Sequence, residues 1–219
     1  MFVKICGTTN EEDALLAVAM GADAVGFIFA PGSTRQITAD RARDIARRLP
    51  PEILTVGVFR NQAPEQVVDI VHFAGLRAAQ LHGKETPEQS QLVRKQVQFL
   101  IQAFAAGDPA LDRAEEYPAD AIMIDSPTPG SGKVFDWSLT EGAPAGARLI
   151  LAGGLTPDNV AGAIEQVRPW GVDCATGVEV EPGRKDARKV RAFVASAKAA
   201  APVEYEGADL GPYDWQDDG

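Results

Sequence analysis

Cysteine is nearly absent from this chain of 219 residues: only Cys6 and Cys174 occur, and neither stands in CxxC or Cys/His spacing. That excludes a disulfide-stapled fold and gives no metal site, so both side chains read as free thiols. Histidine is as scarce, with only His72 and His82. No apolar run approaches the ~20 residues that span a bilayer, and no basic-then-apolar leader follows Met1. A soluble, cytoplasmic protein with no membrane partner is expected. Positive charge is also short, 21 Lys and Arg against 31 Asp and Glu for a net charge of -10. That argues against nucleic acid as the main partner, because a phosphate backbone needs a basic face. The deficit is uneven: Glu204, Glu206, Asp209, Asp214, Asp217 and Asp218 stand in a final stretch, 203–219, that holds no Lys or Arg. A phosphorylated ligand must therefore be held by local donors, not by a global field.

What is present is a regular alternation. At 23.3 kDa and 45% hydrophobic residues the chain suits one domain with a large core. Strand-length apolar runs are predicted at 2–6, 23–29, 53–59, 77–81, 98–104, 121–125, 148–152 and 171–175. Helical patterns lie between them and open on polar caps, clearest at Thr86-Pro87-Glu88 and Thr156-Pro157-Asp158, with a last helix over 186–200. The fifth helix, 108–116, is short, and the sixth, after Asp136-Trp137, shorter still. Eight strand-then-helix beats in about 200 residues favour an α/β fold closed as a single (β/α)8 TIM barrel over 1–202, followed by the acidic, aromatic tail 203–219. An open doubly wound sheet is the rival, but its GxGxxG turn is missing: the first turn reads Cys6-Gly7-Thr8-Thr9.

In a barrel the functional groups gather at the carboxyl ends of the strands. There the sequence puts Cys6, Arg35, Gln80, His82, Asp125 and Asp173. A helix start, Thr8-Thr9-Asn10-Glu11, follows Cys6-Gly7 at once, so Cys6 is a general base if that helix's N-terminus lowers its pKa, and otherwise a small buried hydrophobe. Lys4, two residues earlier, faces the same side and either helps the thiolate or is a satisfied lumen group. Asp125 ends a wholly apolar strand, where desolvation raises a carboxyl pKa toward that of a general acid; the plainer alternative is a loop cap or ion pair. Gly153 and Gly154 after strand seven, with Thr176 and Gly177 after strand eight, sit where barrels commonly bind phosphate, although glycine pairs also make ordinary turns. Arg35 suits a carboxylate or phosphate, but a loop arginine is more often solvated. His72 lies in a helical pattern and is read as structural. If Asp173 faces the lumen, Cys174 faces the helices, which argues against a Cys6–Cys174 disulfide.

The motifs Lys4-Ile5-Cys6-Gly7, Gly26-Phe27-Ile28-Phe29 with Ser33-Thr34-Arg35, Gln80-Leu81-His82-Gly83, Asp125-Ser126 with Gly130-Ser131-Gly132-Lys133 and Phe135-Asp136-Trp137, Leu151-Ala152-Gly153-Gly154-Leu155, Gly171-Val172-Asp173 and Gly177-Val178-Glu179 occur in order from about Val3 to Phe193. As a set they resemble the phosphoribosylanthranilate isomerases of tryptophan biosynthesis. The resemblance implies a cofactor-free Amadori rearrangement of N-(5'-phosphoribosyl)anthranilate to 1-(2-carboxyphenylamino)-1-deoxyribulose 5-phosphate. It implies Asp125 as general acid and Cys6 as general base. Arg35 would face the anthranilate carboxylate, His82 and Asp173 the sugar, and Gly153, Gly154, Thr176 and Gly177 the phosphate. The partner is a small phosphorylated substrate, and the assembly a monomer or homodimer. Thr34 departs from the family's usual proline, which leaves the Arg35 loop less constrained, and Ala175-Thr176 replaces a serine pair, losing one hydroxyl. Alternatives are a histidine-pathway or dual-substrate isomerase, which goes with paired aspartates, not Cys with Asp, a Schiff-base lyase on Lys4, and a non-catalytic scaffold acting through the acidic tail.

Overall fold

Strands whose two faces are both buried need apolar residues at nearly every position, and the predicted runs have them. The computed structural model describes residues 1–127, 137 and 146–201. Its elements are β1 (Phe2–Ile5), α1 (Glu11–Ala19), β2 (Ala24–Ile28), α2 (Ala39–Ala46), β3 (Leu54–Phe59), α3 (Pro64–Ala74), β4 (Ala78–Leu81), α4 (Pro87–Arg94), β5 (Phe99–Ala105), a 3-10 segment (Pro109–Glu116), β6 (Ala121–Asp125), β7 (Leu149–Leu151), α5 (Val160–Val167), β8 (Gly171–Cys174), a hairpin β9 (Glu179–Glu181) and β10 (Arg184–Lys185), and α6 (Ala187–Ala199). Strands β1 to β8 pair in chain order, and β8 pairs with β1, so the sheet closes. The (β/α)8 barrel is what forms. The tail 203–219, the segment Gly130–Lys133 and the short helix expected after Asp136-Trp137 lie outside the described residues, Trp137 alone excepted.

Local signals decide most element starts. Thr86 accepts from the Gln89 N–H while Gln89 reaches back to the Thr86 N–H, a complete capping box with Pro87 in the first turn. Asp186 caps α6 by accepting from Arg188 and Lys189. Two starts differ from expectation. Helix α1 begins at Glu11, capped by Asn10, not directly after Gly7, and its first turn is acidic (Glu11, Glu12, Asp13). Helix α5 begins at Val160 because Thr156 and Asn159 first bond to each other and hold a preceding turn. The hairpin β9–β10, turning at Pro182-Gly183, was not anticipated.

Side-chain alternation divides the interior. Val3, Ile5, Val25, Phe27, Leu100, Val172 and Cys174 point outward into the layer shared with the helices. The lumen is filled near the amino ends of the strands by Phe2, Leu54, Phe99, Ile101 and Ile150 among small Ala24, Ala78 and Ala121. Trp170 closes that end, stacked on Phe2 at 4.4 Å between centroids with the Arg148 guanidinium 5.9 Å from its ring. Each fully buried large aliphatic contributes roughly 1.5–3 kcal/mol. The floor is thus a stable base for whatever stands above it.

Candidate active site

The polar residues stand where these strands end. Register places Lys4 of β1 beside Asp173 of β8, and the Lys4 ammonium, wholly buried, donates to Asp173 Oδ1 at 2.8 Å. Burial works against that ammonium, but Asp173 and the Cys6 thiol outweigh it and raise its pKa. Cys6 follows on the same face and is buried. Burial raises its thiol pKa, with Asp173 adding to the effect, while Lys4 and Lys185 oppose it. The helix terminus expected to lower it is absent from this position, because α1 starts five residues on with carboxylates in its first turn. Both cysteines are free, and Cys174 points away from the lumen with Sγ donating to the Leu155 carbonyl at 3.2 Å, as alternation required.

Asp125 ends β6 and is buried. Burial pushes its carboxyl up to about 6, against a 2.7 Å bond from the Ser126 N–H to Oδ1, and Asp173 adds to the rise. Cap and acid are therefore not alternatives here, since one oxygen caps its own loop and the other remains. That second oxygen lies 3.4 Å from His82 Nε2 without hydrogen-bond geometry, and Nε2 has no partner. Burial and the charges of Lys4 and Arg60 press the His82 imidazole down to about 4, so it is neutral. Gln80 Nε2 stands 3.3 Å from His82 Nδ1, and its Oε1 is likewise unsatisfied. His72 bonds a backbone carbonyl, that of Gln96, as a structural residue does.

A cleft between the ends of β6, β7 and β8 is lined by Asp125, Asp173, Gly153, Gly154, Thr176 and Gly177, among others. Every residue assigned to phosphate thus shares one recess with the acid candidate. Two glycines there are required by close approach. A Cβ on Gly153 would stand 2.4 Å from Ser126 N and 2.8 Å from Asp125 Oδ1, and one on Gly177 would stand 1.9 Å from the Leu155 carbonyl oxygen. These contacts lock the three strand-end loops together.

Arg35 departs from the solvated loop arginine that composition favours. It is buried, donating from Nε and Nη2 to Glu179 at 2.9, 3.1 and 2.7 Å and from Nη2 to Thr176 Oγ1 at 3.0 Å. Lys185 also donates to Glu179, at 3.0 Å, and to the Cys6 carbonyl at 2.5 Å. Burial opposes the Glu179 charge, but Arg35 and Lys185 prevail and lower its pKa. The loop with Thr34 in place of proline is fastened by that pair and by Ser33 Oγ accepting from the Arg35 N–H.

The comparisons with known proteins bear on this arrangement directly. A family model described as N-(5'-phosphoribosyl)anthranilate isomerase matches residues 3–196. This chain belongs to the phosphoribosylanthranilate isomerase family. It is similar to the isomerase of that name from Desulforudis audaxviator, at 50% identity over 90% of this chain and 98% of that one. The solved phosphoribosylanthranilate isomerase from Thermus thermophilus superposes with a TM-score of 0.85 at 44% identity, covering 91% of this chain and 99% of the other. A further solved isomerase of this kind, in complex with reduced 1-(o-carboxyphenylamino)-1-deoxyribulose 5-phosphate, matches with a TM-score of 0.80 at 40% identity, covering 91% and 99%. As a family member the chain is an enzyme, an isomerase of tryptophan biosynthesis.

Within this phosphoribosylanthranilate isomerase scaffold, sequence reasoning missed the Glu179–Lys185 pair beneath Arg35. Its signal was available: two charges flanking a Pro182-Gly183 turn are placed to face each other across a hairpin. The contact of His82 with Asp125 had no such signal, because β4 and β6 are not neighbours in the sheet. Among the described residues no group of three or more His, Cys, Asp or Glu suits a metal, and no helix is long and apolar enough to cross a membrane.

Proposed function

We propose that this chain rearranges N-(5'-phosphoribosyl)anthranilate to 1-(2-carboxyphenylamino)-1-deoxyribulose 5-phosphate, without a cofactor. The observation that carries the reading is Asp125, a carboxyl raised to about 6 on the wall of the cleft that also holds the Gly153-Gly154 turn. Asp125 delivers its proton to the furanose ring oxygen, and the ring opens to a protonated Schiff base. Cys6, as thiolate, takes the C2' proton, and the C–H electron pair moves into the iminium to give an enolamine. Proton shift to C1' then yields the aminoketone. Neutral His82, with Nε2 unsatisfied, and Asp173 meet the sugar hydroxyls. Arg35 meets the anthranilate carboxylate, and the phosphate takes the backbone donors of Gly153 and Gly154 with the Thr176 hydroxyl. Gly177 joins these donors, and its lack of a side chain lets the loops approach.

The related isomerase solved with a reduced carboxyphenylamino-deoxyribulose phosphate supports a ligand of this class. A lyase that forms a Schiff base on Lys4 is disfavoured, because a nucleophilic amine needs a lowered pKa and that of Lys4 is raised by its partners after burial has opposed them. A Cys with an Asp, instead of two aspartates, favours anthranilate over the aminoimidazole substrate of histidine synthesis. The test is turnover of N-(5'-phosphoribosyl)anthranilate by the purified protein, with the aminoimidazole intermediate in parallel. Conversion of the anthranilate compound alone is expected; conversion of both makes the enzyme dual, and conversion of neither sinks the reading.

A further inference from the structure

The thiol of Cys6 sits in surroundings that oppose ionisation, yet the reaction proposed above uses it as a base. Something nearby must offset the cost. The first turn of α1 is acidic and supplies no favourable terminus. Arg35 is engaged by the carboxylate of Glu179, and Lys185, which favours the thiolate less than Lys4 does, shares that carboxylate and touches the Cys6 carbonyl and not its sulfur. Across the lumen Asp125 and neutral His82 add no positive charge. Lys4 remains. It is on the same face of β1, its charge favours the Cys6 thiolate more than any other neighbour's, its ammonium donates to Asp173, and it is fully buried. The facing position on β2 is Gly26, where a Cβ would lie 2.8 Å from Cys6 Sγ and 3.2 Å from Lys4 Cε. The neighbouring strand thus yields its side-chain space to bring these two groups together.

We propose that Lys4 is a positioning residue for the general base: its ammonium, kept in place by Asp173, stabilises the Cys6 thiolate and fixes the sulfur's direction over Gly26. This rests on the reaction assigned above. Lys4 keeps its proton throughout; sulfur gains the C2' proton while the C–H electron pair neutralises the substrate iminium. Asp173 plays two opposed parts, since it keeps a buried lysine charged but its own negative charge disfavours the thiolate.

That opposition supplies the test, a titration of Cys6 in the substrate-free enzyme by ultraviolet thiolate absorbance and by peptide-resolved alkylation, with Cys6→Ser as the blank. Cys174 does not interfere, because burial pushes its thiol up to about 12. Lys4→Met should move the Cys6 titration upward by about one pH unit or more, the scale set by losing an adjacent opposite charge. Asp173→Asn should move it downward. A purely structural role for the pair would not give opposite signs. Should Lys4→Met fail to fold, the double variant Lys4→Met/Asp173→Asn removes both charges together, and its titration should lie above that of Asp173→Asn alone. Turnover by Lys4→Met should lose about tenfold or more in kcat with a smaller change in KM, in step with the thiolate lost. Shifts of the same sign, or none, overturn the proposal. An inactive wild-type enzyme whose thiol still responds to Lys4 would instead overturn the assigned reaction and leave this electrostatic link intact.

Discussion

The amino-end half of the lumen holds Phe2, Leu54, Phe99, Ile101 and Ile150, whereas the carboxyl-end half holds Lys4, Cys6, Gln80, Asp125 and Asp173. Both halves are walled by the same eight strands, and in both these side chains are buried. The lower half gains from burial, because apolar groups leave water there at no polar cost. The upper half is strained by it. Desolvation raises the Asp125 and Cys6 pKa values and depresses that of His82, and two polar atoms, Gln80 Oε1 and His82 Nε2, go without partners. The same property that makes the floor stable makes the roof reactive.

Substitutions should separate the halves by which quantity they change. Cys6→Ala and Asp125→Asn should each lower kcat by roughly 10²-fold to 10⁴-fold with the fold retained, as expected for loss of a positioned base or acid. Steady-state kinetics beside a circular-dichroism melt would check it, and wild-type rates in either variant would falsify the assignment. Leu54→Ala, in the fully buried floor, should cost about 2–5 kcal/mol of unfolding free energy by denaturant titration while kcat in the surviving folded protein stays within a few-fold. A large kcat loss there would break the division.

The sharpest contrast is the stability of Asp125→Asn. The native carboxyl holds its proton up to about 6 against 3.8 ordinarily, so the folded state binds the proton more tightly between those values. Native stability is therefore undiminished by this group below pH 3.8 and declines as pH rises through 6. Removing the charge should stabilise the protein at pH 7–8 by up to about 3 kcal/mol, with the gain vanishing near pH 4. Equal effects at both pH values would show that Asp125 is not strained. Arg35→Ala should chiefly raise KM, by about 10-fold to 100-fold for the loss of a charge-assisted bond. An unchanged KM would remove Arg35 from the substrate.

The smallest effect is in the shape of the pH profile. Competence needs Asp125 protonated and Cys6 ionised, although the thiol is the weaker acid of the two. The competent fraction rises with pH until Asp125 titrates near 6, stays level, and falls only beyond the raised thiol value. The residual activity of Asp125→Asn should lose the bend near pH 6 and keep climbing into the alkaline range. A bend that persists belongs to the substrate phosphate.

Much of this was legible in the chain. Eight apolar runs at near-even spacing imply a parallel sheet whose strands are buried on both faces, and period two alone puts Lys4 with Cys6 and turns Cys174 away from the lumen. Strand starts and the Thr86 and Asp186 caps followed local chemistry. The start of α1 is local as well: Asn10 caps better than the threonines before it and displaces the helix from Cys6. The burial of Arg35 was not legible, since its partner Glu179 is 144 residues away.

The sequence by itself determined the elements, their order and the residue types at each strand end, because propensity, capping and alternation act over a few neighbouring residues. Tertiary structure alone decided which of those ends face one another: that Lys4 meets Asp173 through the closure of β8 on β1, that His82 stands against Asp125, and that Glu179 binds both Arg35 and Lys185. The pKa values of the site follow from those meetings, since charge and desolvation depend on distance in space and not on separation along the chain.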